Sequence, residues 1–270
     1  MRRSDHMSWG LKNRMNQILP EGKAVMLAID HGYFLGPIHG LEKPGETVKE
    51  LLPYTDSLFA TRGALSACIP ENCEKPVLMR VSGGPSVVGK DLANEHIVTP
   101  MKEAIRHNVL GVGVSIFVGS DYETQTVSNL ASVVTEAHDY GIPVLAITAV
   151  AKELQNREAR FLALASRIGA EMGADIIKTY YCENFEKVTG TCPVPVVIAG
   201  GPKLDTMMDA LNLTYNAMQE GAAGVDMGRN IWQSEHPAAM IQAIHEIVRK
   251  NASVKEALEV YENTANVKVK

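Results

Sequence analysis

RFLALASRIGAEMGADIIKTYY, residues Arg160–Tyr181, carries a helix, a cap and a strand in one run. Phe161, Ala165, Ile168 and Met172 step by four, three and four, the spacing of one helix face. Gly173 follows as a C-terminal cap. The chain then enters Ile176–Thr179, a brief apolar run of the kind expected for a parallel strand covered on both faces. The same order recurs downstream, where Met208, Leu211, Tyr215 and Met218 share a face and Gly221 closes the helix before Gly224–Met227. Working outward, further strands are predicted at Ala24–Ile29, Ser57–Ala60, Val77–Val81, Gly111–Val118, Val144–Thr148 and Val196–Ala199. Eight strands alternating with helical stretches predict an α/β chain folded as a single (β/α)8 TIM barrel. An open doubly wound sheet shares the same local alternation and is the rival architecture.

The barrel is expected over residues 9–262. Residues 1–8 are read as a disordered or added N-terminus, with Met7 a candidate natural start, and 263–270 as a polar C-terminal tail. Trp9–Ile18 is a short helix able to cover the barrel bottom or to touch a neighbouring subunit. Helical residues after Ser253 form a C-terminal extension.

The 270 residues are 46% hydrophobic and 21% charged, with a formal net charge of −5. That apolar content excludes intrinsic disorder. The mild acidity argues against nucleic acid or an anionic membrane as partner, while leaving room for a local phosphate pocket. No run approaches the ~20 apolar residues of a membrane span. MRRSDHMSWG has no apolar segment after its arginines and does not read as a signal peptide. Cys68, Cys73, Cys182 and Cys192 form no C-x-x-C pair, so reduced thiols in a cytoplasmic protein are expected. No metal-ligand spacing stands out.

Barrel active sites lie at the C-terminal ends of the strands. Those ends carry Asp30-His31-Gly32, Thr148 with Lys152 beyond it, Lys178-Thr179-Tyr180-Tyr181, Gly200-Gly201-Pro202-Lys203 and Asp226-Met227-Gly228-Arg229. Alternation puts Lys178 and Tyr180 on the face opposite Ile177 and Thr179. A lysine inside a barrel loses hydration, which favours its neutral, nucleophilic amine and Schiff-base formation with a ketone. The competing reading makes Lys178 an ion-pair partner of Asp30 or Asp226. Gly200, Gly201 and Gly228 let backbone N–H groups approach an anion, and Arg229 adds a fixed charge at the usual phosphate position of such barrels. Asp30 and His31 are candidate proton carriers. Lys152, Tyr180 and Asp226 are candidate supporting groups, each open to an ordinary structural role.

LAIDHGYFLGP (Leu27–Pro37), IIKTYY (Ile176–Tyr181), AGGPK (Ala199–Lys203) and GVDMGRNIWQSEHP (Gly224–Pro237) together resemble the archaeal-type class I aldolase family, grouped with the DeoC-like aldolases. The resemblance runs from about Trp9 to about Lys250. It implies metal-independent Schiff-base chemistry on phosphorylated ketoses in ring-based homo-oligomers, often decamers. By motif, Lys178 matches the Schiff-base lysine and Asp30 the acid/base aspartate. Gly200, Gly201, Gly228 and Arg229 match the phosphate turns. In the fructose-bisphosphate branch the fifth strand leads into a Tyr-Pro-Arg-Gly type segment, whose tyrosine handles a proton. Here Ala146–Lys152 contains no tyrosine. That segment, with FATRGAL (Phe59–Leu65) and FVGSDYE (Phe117–Glu123), resembles the thiolase branch, which passes acetyl from a phosphorylated five-carbon diketone to coenzyme A. No tightly bound cofactor is expected, and coenzyme A enters as a co-substrate.

Overall fold

The computed structural model describes residues 8–150 and 158–266. Eight parallel strands close a barrel: β1 (Ala24–Ala28), β2 (Ser57–Thr61), β3 (Val77–Arg80), β4 (Gly111–Val118), β5 (Val144–Val150), β6 (Ile176–Tyr180), β7 (Val196–Ala199) and β8 (Gly224–Met227). They lie in chain order around the ring, with β8 paired to β1. This is the TIM barrel read from the alternation, and closure excludes the open sheet. Every predicted strand is present, with ends shifted by at most two residues.

Two apolar layers hold it. Inside, Ala24, Met26, Phe59, Leu78, Leu145, Ile176 and Val197 form one cluster with Ile18 and Leu19. Ile18 ends the helix Trp9–Ile18, so that helix plugs the bottom of the barrel. Ser8 caps its start by accepting from the Leu11 N–H. Phe59 fits the interior because β4 carries Gly113 beside it; a Cβ there would lie 2.3 Å from the Phe59 ring. The outer layer packs strand residues such as Val25, Ile177 and Ile198 against the surrounding helices.

The helix face predicted from Phe161, Ala165, Ile168 and Met172 is rotated in the structure. Within Ala159–Glu171 the buried residues are Leu162, Ala165, Ser166, Gly169 and Ala170, and Met172 is the exposed cap. Small residues win the inward face because the helix sits close to the sheet; a Cβ on Gly169 would lie 2.8 Å from Ile177 Cδ1. The sequence-predicted polar tail also starts later than expected. The helix Val254–Ala265 extends into it, anchored by buried Ala257 and Tyr261, begun by a Ser253/Glu256 capping box and ended at left-handed Asn266.

Between β3 and β4 the chain adds a two-stranded antiparallel ribbon, Ser82–Gly83 with His96–Ile97, that no periodicity announced. It brings the preceding residue, Glu95, to the barrel mouth. Among the described residues no helix is long and apolar enough to cross a membrane, and no group of metal-binding side chains is found. All four cysteines are free thiols.

Candidate active site

A cavity of about 230 Å³ opens at the C-terminal end of the barrel. The sequence-predicted residues Asp30, His31, Lys178, Tyr180, Gly200, Gly201, Asp226, Gly228 and Arg229 all line it. Lys152 lies outside the described residues. Tyr180 faces the cavity, whereas Tyr181 turns outward and donates to Glu220 at 2.7 Å.

Lys178 stands on the inner face of β6 as alternation requires, with Ile176 below it and Ile177 on the outer face. Its ammonium lies 5.3 Å from the centroid of the Phe59 ring, which forms the apolar floor. Its Nζ is 2.8 Å from Asp226 Oδ2. At that distance, with the Asp226 side chain wholly buried, the ammonium both pairs with and can donate to the carboxyl. Of the two partners anticipated for Lys178, the structure selects Asp226.

Asp30 is committed elsewhere. Its Oδ2 accepts from Arg80 Nη1 at 2.7 Å. Burial alone would raise the Asp30 pKa, but Arg80, then His31 and Lys178, outweigh it and hold the carboxyl below its ordinary range. Asp226 goes the other way: burial raises its pKa and Lys178 only partly offsets the rise. Two carboxyls beside one lysine are thus shifted in opposite directions.

His31 sits beside them, its Nδ1 3.6 Å from Asp30 Oδ1 and its ring edge-on to Trp232 at 5.6 Å. Burial lowers its pKa to about 4, with Asp30 opposing, so the imidazole is neutral at pH 7.

The turns after β7 and β8 are built for close approach. Gly201 has φ +69°. A Cβ on Gly228 would lie 2.7 Å from the Ala28 carbonyl oxygen and from His31 Cε1. Buried Asn230 ties the turns together, donating to the Gly200 carbonyl at 2.8 Å and accepting from the Leu204 N–H at 2.8 Å. Arg229, half-buried, opens the short helix Arg229–Trp232 between them.

The sequence reading missed the opposite wall. Arg80 ends β3 and is buried. Its Nη2 donates to Glu95 Oε1 and to Ser115 Oγ, both at 2.6 Å, and its Nε to the Ser82 carbonyl at 3.1 Å. Tyr33 donates to Glu95 at 2.6 Å and stacks under Arg80, 4.7 Å from ring centroid to guanidinium carbon. Ser82 Oγ donates to the other Glu95 oxygen at 2.6 Å. Burial opposes the Arg80 charge, but Glu95 and Asp30 outweigh it and push its pKa up. The strand-end rule that flagged Lys178 applies equally to Arg80 and was the available signal. Glu95 had none, because it arrives through the ribbon.

Residues 24–234 match the family described as DeoC/LacD family aldolase. The 3-hydroxy-5-phosphonooxypentane-2,4-dione thiolase of Enterobacter sp. (strain 638) is 46% identical over 259 residues, covering 95% of this chain and 87% of that protein. The enzyme of the same name from Photorhabdus laumondii is 44% identical over 258 residues, 94% of this chain and 88% of that one. Among solved structures, a Schiff-base-forming fructose-1,6-bisphosphate aldolase is similar with a TM-score of 0.82 at 25% identity, over 88% of this chain and 99% of that one.

Proposed function

The chain belongs to the DeoC/LacD aldolase family, and from that premise we propose that it is a Schiff-base thiolase. It cleaves a phosphorylated diketone such as 3-hydroxy-5-phosphonooxypentane-2,4-dione and passes acetyl to coenzyme A. The observation that carries this reading is a buried lysine, paired with a carboxyl of raised pKa, in the same cavity as two glycine turns and an arginine.

In this reading the turns of Gly200, Gly201 and Gly228, with Arg229, hold the C5 phosphate. The neighbouring C4 carbonyl then meets Lys178. Asp226 takes a proton from the ammonium, and the free amine adds to C4. Asp226 returns the proton to the departing oxygen, and loss of water leaves an iminium. The thiol of coenzyme A gives its proton to Asp30 and its sulfur adds to the C2 carbonyl. Collapse of that adduct breaks C2–C3, and the electron pair moves into the iminium to give an enamine. Asp30 returns the proton to C3. Water then hydrolyses the new iminium, releasing dihydroxyacetone phosphate and restoring Lys178. Atoms and protons balance without a metal or redox step. His31, neutral and 3.6 Å from Asp30, lines the cavity beside these transfers.

A fructose-bisphosphate aldolase reading has the fold similarity in its favour. Against it, β5 offers the cavity Ile147, Thr148 and Ala149, and the Thr148 hydroxyl is engaged with the Lys178 carbonyl at 3.3 Å. No tyrosine replaces it on that strand. A cytoplasmic setting and a ring-based homo-oligomer belong to the same proposal; the exposed Trp9 at the barrel bottom offers an apolar contact for a second copy.

The test is to supply the diketone with coenzyme A and follow both products. Acetyl-coenzyme A and dihydroxyacetone phosphate in equal amounts are expected. Aldehyde release from fructose 1,6-bisphosphate, with no thioester from the diketone, would overturn the thiolase reading.

A further inference from the structure

We infer that Arg80 and Ser115 form an acyl subsite that binds the C2 carbonyl and stabilises the oxyanion formed there. The inference rests on the thiolase reading and adds what holds the end of the substrate away from the phosphate.

Closure of the ring in chain order sets β3 across the barrel from β7, and β4 across from β8. A substrate anchored by phosphate at the β7 and β8 turns and joined to Lys178 on β6 therefore points its far end at β3 and β4. The polar groups waiting there are Arg80 and Ser115, both buried and both lining the cavity. Each has a donor to spare. Arg80 places Nε–H on Ser82, one Nη1–H on Asp30, and its Nη2 on Glu95 and Ser115. The second N–H of Nη1 has no partner among the described residues. Ser115 Oγ accepts from Arg80 and donates to no described residue, which leaves its proton for a ligand. An N–H and an O–H at one wall are the donor set a developing alkoxide needs.

The setting also selects the class of ligand. Arg80 lies between two carboxylates, Asp30 and Glu95, so this wall carries no net positive charge to hold a second phosphate. Leu92 and Phe117 supply apolar lining beside it. The subsite thus fits a short, uncharged acyl group. Glu95 acts through Arg80: gripped by Tyr33 and Ser82, it fixes the guanidinium and is a positioning residue.

The experiment compares wild type, Ser115→Ala and Arg80→Lys in two readouts. One is acetyl transfer from the diketone to coenzyme A. The other is borohydride trapping with dihydroxyacetone phosphate, which has the phosphate and the reactive carbonyl but no acyl end. Loss of one oxyanion donor lowers kcat about 10²–10³-fold in other enzymes; a fall of that order in acetyl transfer is expected for Ser115→Ala, with trapping unchanged. Arg80→Lys is expected to lose acetyl transfer at least as strongly. Unaltered acetyl transfer in Ser115→Ala would overturn the subsite, as would equal losses in both readouts. A wild-type protein that neither transfers acetyl nor traps dihydroxyacetone phosphate would overturn the thiolase reading itself, and the subsite with it.

Discussion

Replacing Lys178 with methionine removes the one cation paired with Asp226 among the described residues, leaving a side chain that is wholly buried. An ionised carboxyl left alone in such a place costs about 3–5 kcal/mol. Asp226 escapes that cost by holding a proton, and burial already favours this in the intact protein. The variant therefore makes stability depend on pH. With the folded-state pKa raised above the unfolded value, the folded form keeps a proton that the unfolded form has released. Stability is fully present below the ordinary carboxylate range and falls as pH rises toward the raised value, by about 1.4 kcal/mol per pH unit. Above the ordinary carboxylate range the variant should lose more stability per pH unit than wild type, up to the full slope of about 1.4 kcal/mol, which is roughly 3–6 °C in Tm per unit for a chain of this size. Denaturant melts at about pH 5.5 and 7.5 measure it. Adding Asp226→Asn should flatten the dependence, since the amide cannot ionise. A loss in Lys178→Met that is the same at both pH values, or that persists in the double variant, would refute the reasoning.

Three further outcomes follow from the same geometry. Arg229→Ala should raise KM for phosphorylated ketones at least tenfold and leave their unphosphorylated analogues nearly unchanged; equal effects would remove its phosphate role. Gly228→Ala puts a Cβ 2.7 Å from the Ala28 carbonyl oxygen, so a loss of about 1–3 kcal/mol in denaturant melts is expected; wild-type stability would contradict that packing. His31, with its pKa lowered to about 4, should show a neutral imidazole in NMR spectra at pH 6. Stability should correspondingly fall between pH 6.5 and 4, because the unfolded chain takes up a proton there that the folded chain refuses. A His31 titration near 6.5 would contradict its burial.

The barrel was legible because its strands are buried on both faces and read as short apolar runs, with Gly173 and Gly221 marking where two of the helices stop. The lysine side of the site was legible for a related reason: Asp30, Lys178 and Asp226 interrupt those apolar runs at their C-terminal ends. Arg80 interrupts VLMRVS in the same way, at the C-terminal end of β3. Glu95 and Tyr33 were beyond reach, because nothing local in a loop reports which strand end it will touch. The two-residue ribbon strands that deliver Glu95 are too short to show a period. The helix face at Arg160–Glu171 was misjudged for a packing reason. Spacing picked Phe161, Ile168 and Met172 together with Ala165, whereas close contact with the sheet kept Ala165 and favoured Leu162, Ser166, Gly169 and Ala170 beside it. The choice of Asp226 over Asp30 as the partner of Lys178 depended on Arg80, and so could not precede it.

The most direct test of the account is covalent. The protein is incubated with the phosphorylated diketone, treated with borohydride and digested, and the modified peptide is located by mass. A reduced adduct on Lys178, absent from Lys178→Ala with its fold and oligomer intact, is the result the account predicts. No adduct with the diketone, or an adduct on another lysine, would contradict it.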